Sequence, residues 1–340
     1  MMQLDKGFDD LKGFIVRSPE LADGQIVTDL LNTCSMEVVG RKQYDADELR
    51  VSWQSPNFDY QSSIQLVLAE GGGLAGFCSI NDTQDPYVRI MIMVRVHPDY
   101  RQSRIGEALL GWGEKRARAA VGKAPEGAQV VLSSGVNQKD TYHKHLLESH
   151  GMTIARHFFQ MEIEFDGPPE SPDLPAGIVI RPYDEDTELE SLASAYLDSF
   201  QDHYGFADQS IDTLLVNIRF MIEKDPNYSP DLWFVAMDGD EIAGLSVCTP
   251  KTTEDPEMGF VNVLGVRRHW RRKGLGLALL GHSFVEFYRR GCKRAGLGVD
   301  ASSLTGATRL YEKGGMHVAR QFDSYKKVLR DGDDITTKSL

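Results

Sequence analysis

Apolar and polar positions fall into blocks that occur twice along the chain. Ile64–Glu70 is an apolar run rich in strand formers, Gly71–Gly73 a turn, and Leu74–Ile80 a second apolar run. Leu232–Met237, Asp238–Asp240 and Glu241–Cys248 repeat that order. Strand formers flanking short Gly-containing turns read as β-hairpins. One further strand-like stretch follows each hairpin, Val88–Val96 and Gly259–Val266. Basic turns come next, Tyr100–Gly106 and Trp270–Gly276. Each opens a helical pattern with apolar residues three and four apart, Glu107–Ala120 and Leu277–Arg290. A strand (Val130–Ser133, Ala295–Val299) and a helix closing on Gly-Met complete each copy.

The turns lie 170 residues apart and the Gly-Met closings 164. Two copies of one unit fit a length of 340 residues, too long for one ordinary domain of about 100–200. Between them, Asp166–Pro175 holds four prolines in ten residues, which excludes a helix interior or a central strand. The expected division is 10–165, a linker over 166–177, and 178–330. The fold class is α/β, with an α+β mixed sheet in each half. The last ten residues, Asp331–Leu340, are polar and read as frayed.

Composition narrows the function classes. Charged residues at 26% and hydrophobic residues at 41% are ordinary for a globular protein, so disorder over most of the length is excluded. The net charge of −13 disfavours nucleic acid and anionic membrane, both polyanions, as partners. It suits a cationic substrate, although acidity also serves solubility alone. Cys34, Cys78, Cys248 and Cys292 form no CxxC pair, and no apolar run reaches about 18 residues. Reduced, packed thiols in a cytoplasmic protein are expected, as a monomer or homodimer. His143, His145 and His150 lack metal-ligand spacing, so no metal is expected.

The sharpest chemical signal is Arg271-Arg272-Lys273-Gly274-Leu275-Gly276, between a strand and a helix. Glycines there allow positive φ and close backbone approach. A helix start presents unpaired N–H groups and the positive dipole end, which suits a phosphate. No Lys-Ser/Thr follows the last glycine, and GxGxxG is absent, so neither a Walker loop nor a dinucleotide fold is indicated.

Val266–Gly276, with Arg271-x-x-Gly274-x-Gly276, resembles the acyl-CoA-binding motif of the GNAT superfamily of N-acyltransferases. Val299–Met316, containing Leu310-Tyr311-Glu312-Lys313, resembles that family's next strand and helix, and Val96–Arg101 resembles the same motif in the first half. Tandem members such as mycothiol synthase share the layout, and Ser199–Phe206 is similar to a segment seen in them. The resemblance implies that the strand ending at Val266 splays from Ala295–Val299. Pantetheine would then bond main-chain groups near Leu264 and Val266. The N–H groups of Arg271, Arg272, Lys273, Gly274, Leu275 and Gly276 would hold the pyrophosphate. A main-chain N–H at Leu264–Gly265 would meet the oxyanion. Tyr311 would protonate the departing thiolate, a job that suits a phenol. For the base, Glu257 and Glu254 stand before the splayed strand; Asp202 and His203 are the alternative.

The first copy departs from this pattern. Arg104 stands at the place of Gly274, and Leu147 at that of Tyr311. That copy is expected to be catalytically degenerate. The function implied is acetyl-CoA-dependent N-acetylation of a primary amine of a small molecule, by direct transfer in a ternary complex. The alternatives are mycothiol-synthase-like acetylation of an amino-sugar thiol and a non-catalytic acyl-CoA-binding sensor.

Overall fold

The computed structural model describes residues 8–337. The chain forms two compact units. One contains residues up to Arg156 with Phe322–Ile335; the other contains His157–Gln321 with residues from Thr336 on.

The first unit opens with β1 (Phe14–Arg17), α1 (Gly24–Val39), α2 (Ala46–Trp53) and α3 (Tyr60–Ser63). The hairpin β2 (Ile64–Ala69) and β3 (Leu74–Asn81) follows, then β4 (Arg89–Val96), α4 (Ile105–Ala120), β5 (Val130–Asn137) and α5 (Thr141–Ser149). Strand β6 (Thr153–Glu164) leads into the second unit. That unit has β7 (Ile178–Pro182), α6 (Leu189–Phe200), α7 (Ile211–Lys224), and the hairpin β8 (Trp233–Asp238) and β9 (Glu241–Thr249). It continues with β10 (Met258–Val266), α8 (Leu275–Arg289), β11 (Arg294–Asp300) and α9 (Ala307–Lys313), and β12 (His317–Arg330) closes the series. Both hairpins and both basic turns stand where the pattern predicts them. The short edge strands β1 and β7, four and five residues long, carry too few alternations to be read from sequence.

In the first unit the strand order is β1-β2-β3-β4-β5-β12; in the second it is β6-β11-β10-β9-β8-β7. Each sheet is mixed, with one parallel pair at its centre: β4 with β5, and β10 with β11. The outermost partner of each parallel pair comes from the other half of the chain. Phe158–Glu164 of β6 pairs antiparallel with β11, and Phe322–Arg330 of β12 pairs antiparallel with β5. The compact units therefore differ from the stretches 10–165 and 178–330 by one exchanged strand each. Alternation reveals that a segment is a strand, but not which of two like sheets it joins.

Side chains tie the exchanged strand into the first unit. Lys327 Nζ reaches Glu114 at 2.6 Å, Lys144 Nζ reaches Asp323 at 2.7 Å, and the Tyr325 hydroxyl donates to Glu148 at 2.7 Å. In the second unit the alternation of β8 separates two cores. Phe234 and Ala236 pack with Leu279, Phe284 and Phe287 of α8, while Trp233 and Val235 pack with Leu192 and Ala195 of α6. Burying each large apolar side chain contributes about 1.5–3 kcal/mol, which fixes both helices on the sheet.

The Pro-rich stretch 166–175 forms neither helix nor strand. The C-terminal end is tied down rather than frayed as far as Thr337. The N–H of Gly205 donates to Thr337 O, and the N–H of Thr337 to Phe206 O, both at 2.8 Å. Residues 338–340 lie outside the described ones. Among the described residues no helix is long and apolar enough to cross a membrane. No cluster of three or more His, Cys, Asp or Glu that could hold a metal occurs among them either.

Candidate active site

The site begins where β10 and β11 part. Their parallel register runs from Met258–Arg294 to Val261–Leu297 and stops, and β10 shifts register against β9 between Val261 and Val263. Beyond that bulge the N–H of Arg267 donates to Ala243 O at 3.0 Å. Val266, opposite Gly244, thus sits at a pair that exchanges no hydrogen bonds, and its own N–H and C=O turn away from β9. By alternation the same holds for Leu264. Gly265 lies between them, where a Cβ would come within 2.8 Å of the Ser199 Cβ on α6. Only glycine lets that helix approach the splayed strand.

The basic turn follows. Arg272 has φ 62° and Gly274 φ 85°, and α8 starts at the next residue. A Cβ on Gly274 would meet nothing within 4 Å, so the position demands glycine by its left-handed backbone and not by crowding. Among the described residues the N–H groups of Arg272, Lys273 and Gly274 donate to no backbone carbonyl. Those of Leu275 and Gly276 belong to the unpaired first turn of α8. Arg271 is different. Its N–H donates to Arg268 O, and its guanidinium bonds Val266 O at 2.9 Å, Ser199 O at 3.0 Å and the Asp202 carboxylate. It anchors α6 to the turn, with its main-chain N–H and three of its five guanidinium N–H groups already engaged.

Two adjoining cavities meet in the gap. The first, about 480 Å³, is lined by Leu264–Val266, the turn and α9. The second, about 250 Å³, lies between the parted strands and the end of α6. They share His203, Leu264, Leu304, Thr305, Ala307 and Tyr311 in their walls. Their charges differ sharply. Among the described residues, Arg271, Arg272, Arg309 and Lys313 line the first, with no carboxylate, and Asp300 is the single charged residue lining the second. Phe158, Phe200, His203, Tyr204 and Tyr311 supply five rings to that second cavity.

Tyr311 is 7% exposed, and burial pushes its phenol up to about 12. It stays protonated through the physiological range and can donate a proton. His203 rests on Phe200, ring centroids 4.3 Å apart. Burial, with help from Arg271, holds its imidazole below the usual value against the opposing pull of Asp202 and Asp300. It is therefore neutral at pH 7 and able to accept a proton. Asp202 is outside both linings and is gripped by Arg268 and Arg271. The Arg268 bond above all holds it below the usual carboxylate range. An anion stabilised in that way is a poor proton acceptor. Glu257 precedes β10, about 23 Å along the strand from Leu264 at about 3.3 Å per residue. Glu254 is paired with Arg320. Neither glutamate reaches the gap. Lys273 lies on the turn outside the cavity linings.

Sequence reasoning missed Ser199, Asp300 and Phe158. Ser199 lines the first cavity, is 1% exposed, and its Oγ has no hydrogen-bond partner among the described residues. Phe158 stands opposite Asp300 across the β6–β11 pair, brought there by the exchanged strand. No local pattern announces such a partner.

The first unit has the same splayed pair, closed from within. Its parallel register stops at Met91–Ser133. Val96, the counterpart of Val266, gives its N–H to His143 Nε2 at 3.2 Å, and its C=O accepts from Cys34 Sγ at 3.5 Å. The other His143 nitrogen bonds Asp140 at 2.8 Å. At the place of His143 the second unit has Ala307, which lines both cavities. Arg104, at the place of Gly274, has φ −87°, so the first turn takes a different backbone path.

Comparison with known proteins agrees with this geometry. Residues 25–145 and 189–316 each match the acetyltransferase (GNAT) family. A mycothiol acetyltransferase from Thermobispora bispora is 28% identical over 255 residues, 73% of this chain and 78% of that one. Another, from Geodermatophilus obscurus, is 29% identical over 264 residues, 74% and 77% of the two chains. Among solved structures, a GCN5-related N-acetyltransferase from Sphaerobacter thermophilus superposes with a TM-score of 0.79 and 30% identity. It covers 96% of this chain and 99% of its own. A tandem GNAT protein from the clavulanic acid biosynthesis pathway shares the fold at TM-score 0.69 and 14% identity, over 94% and 100%. With one match in each repeat, and in each repeat a splayed parallel pair, the chain belongs to the acetyltransferase (GNAT) family and is a tandem GNAT N-acetyltransferase.

Proposed function

We propose that the second unit moves an acetyl group from acetyl-CoA to a primary amine of a small molecule, by direct transfer in a ternary complex. The observation that carries this reading is the pair of cavities joined at Tyr311 and His203, one cationic and one not. The cationic cavity suits the phosphates of CoA. The free N–H groups from Arg272 to Gly276 would bind the pyrophosphate, and the outward main-chain groups of Leu264 and Val266 would meet the pantetheine arm. Since Arg271 already holds Val266 O, the Val266 N–H is the group left for the arm.

In the reaction the amine nitrogen attacks the thioester carbon, and the carbon–sulfur bond breaks. The Leu264 N–H, turned away from β9, would meet the oxyanion. An ammonium acceptor loses two protons in all. His203 takes one and passes it to solvent; the proton that Tyr311 gives to the thiolate balances the other. Asp202 acts as a positioning residue, holding Arg271 and so the turn. The first unit, with its slot filled by His143, serves as a scaffold without turnover.

A second reading is favoured by the relatives at 28% and 29% identity, both mycothiol acetyltransferases. In it the acceptor is the amine of an amino-sugar thiol. Calorimetric titration with acetyl-CoA, followed by CoA release with amines, tests the proposal. One site per chain is expected, lost in Gly274→Arg with the melting temperature checked. Tyr311→Phe should keep the affinity but slow CoA release about a hundredfold or more. The acid limb of kcat should lie below pH 6.5, where His203 becomes protonated, and should vanish in His203→Ala. Two sites, or full turnover in Tyr311→Phe, would overturn it.

A further inference from the structure

His203 lies where the two cavities meet, and its aim decides whether it can take a proton from the amine. It belongs to the aromatic wall of the second, acceptor cavity, with Phe158, Phe200, Tyr204 and Tyr311. Its ring stacks on Phe200, and its position otherwise follows the backbone that carries it.

That backbone is the connection between α6 and α7, residues 201–210. Two short turns shape it. The N–H of His203 donates to Phe200 O at 2.8 Å, and the N–H of Phe206 donates to His203 O at 3.0 Å. Gly205, at φ 77°, makes the reversal between them. A stretch held by turns of one bond each opens locally with little loss of stability.

Two fastenings from outside the connection offset this. One precedes His203: Asp202 is gripped by Arg268 and Arg271. The other comes from the far end of the chain, at Thr337. The Thr337 N–H donates to Phe206 O and the Gly205 N–H donates to Thr337 O, both at 2.8 Å. The Thr337 hydroxyl donates to Gln201 O at 2.9 Å, across 136 positions of sequence. A single residue thus holds the connection at Gln201, before His203, and at Gly205 and Phe206, after it. All three bonds go to main-chain groups, so they fix the path of the backbone and not one side chain. The preceding stretch is tied elsewhere. The Asp333 N–H donates to Gly127 O and the Gln129 N–H to Asp333 O, both at 2.8 Å within the first unit, whereas Thr336 and Thr337 group with the second.

We propose that Thr337 is a positioning residue for acetyl transfer: it clamps the α6–α7 connection across His203 and keeps the imidazole aimed at the amine beside Tyr311. The chemistry in this proposal rests on the acetyl-transfer reading; the clamp rests on the three bonds. The end of the chain is then part of the acceptor site, while the cationic cavity, built on β10, the basic turn and α9, stands without it.

The test compares the full chain with chains ending at Thr337 and at Ile335. The first truncation keeps all three bonds, since the terminal carboxylate still accepts from Gly205; the second removes them. CoA release with glucosamine under saturating acetyl-CoA should be unchanged in the first. In the second, kcat should fall at least tenfold, because a small misplacement of a catalytic group has effects of that size. Thr337→Pro, which removes the N–H and the hydroxyl at full chain length, should lower kcat at least threefold. Acetyl-CoA affinity by calorimetry should change less than twofold in all of them. The loss should also run through His203, so that in His203→Ala the truncation at Ile335 lowers kcat less than twofold further. Unaltered kcat in the chain ending at Ile335, an equal loss in the chain ending at Thr337, or the full loss in His203→Ala would overturn the proposal.

If the full chain turns over no glucosamine, the transfer reading loses that amine, and amide hydrogen exchange decides the clamp separately. Exchange over 201–206 should be at least tenfold faster in the chain ending at Ile335 than in the full chain, and unaltered over 271–276. Equal exchange over 201–206 in the two chains would refute the clamp.

Discussion

At the scale of the residue, the turn and the gap are governed by single atoms. Gly274 was legible in the sequence because a left-handed φ at a helix start is a glycine position. The reason is conformational, since the space beside it is open. The role of Ser199 was not legible: the resemblance of Ser199–Phe206 to a segment of tandem members marks the stretch, but no local pattern shows that this hydroxyl is buried against the splayed strand. Its Oγ is buried without a partner against the splayed strand, a state that is destabilising by about 1–3 kcal/mol. Under the proposed function the hydroxyl gains a partner when pantetheine enters the first cavity. Ser199→Ala is therefore expected to raise the melting temperature of the protein alone while weakening acetyl-CoA binding about two- to tenfold. Thermal melts with and without acetyl-CoA would measure both. A variant less stable without acetyl-CoA, or one with unaltered affinity, would refute the argument.

At the scale of the element, the same strand–turn–helix–strand–helix order produces an open gap in one copy and a closed one in the other. Sequence reasoning located the difference at Arg104 and Leu147, and it missed His143, whose role depends on contact with Val96 47 residues earlier. That bond also sets the protonation state. Nε2 accepts an N–H while the other ring nitrogen faces Asp140, so His143 is neutral with its proton on Nδ1. Burial holds its pKa below 6.5, Arg95 and Arg101 add to this, and Asp140 opposes it. The unfolded chain takes up a proton near pH 6.5 where the folded one does not. Stability is thus full above that pH and falls as pH drops through 6.5 toward the depressed folded value. Urea unfolding at pH 7.5 and 5.5 should show this loss, and His143→Gln should show less of it. His143→Ala should be destabilising by about 2 kcal/mol at pH 7.5, since it leaves the Val96 N–H and the Asp140 carboxylate without their partner. An unchanged pH dependence in His143→Gln would remove this residue as the source.

At the scale of the whole molecule, the repeat was plain in the sequence, and the exchange of last strands was not. Pattern assigns 178–330 as one domain, yet β11 in that stretch pairs along seven residues with Phe158–Glu164, which precede the Pro-rich linker. Without β6, the strand that supplies Asp300 would become a sheet edge with unpaired N–H and C=O groups, and Met161, fully buried, would leave a void in the core beside Leu297. Phe158 would leave the acceptor cavity as well. Residues 166–340 produced alone are therefore expected to be aggregated or unable to bind acetyl-CoA, although they contain the entire basic turn and Tyr311. Residues 153–340, which restore β6, should recover more soluble protein than 166–340. Size-exclusion chromatography and acetyl-CoA titration of the two fragments would decide. Full affinity and a folded monomer from 166–340 would mean that the exchanged strand is dispensable to the site, and the aromatic wall built on Phe158 would have to be given up with it.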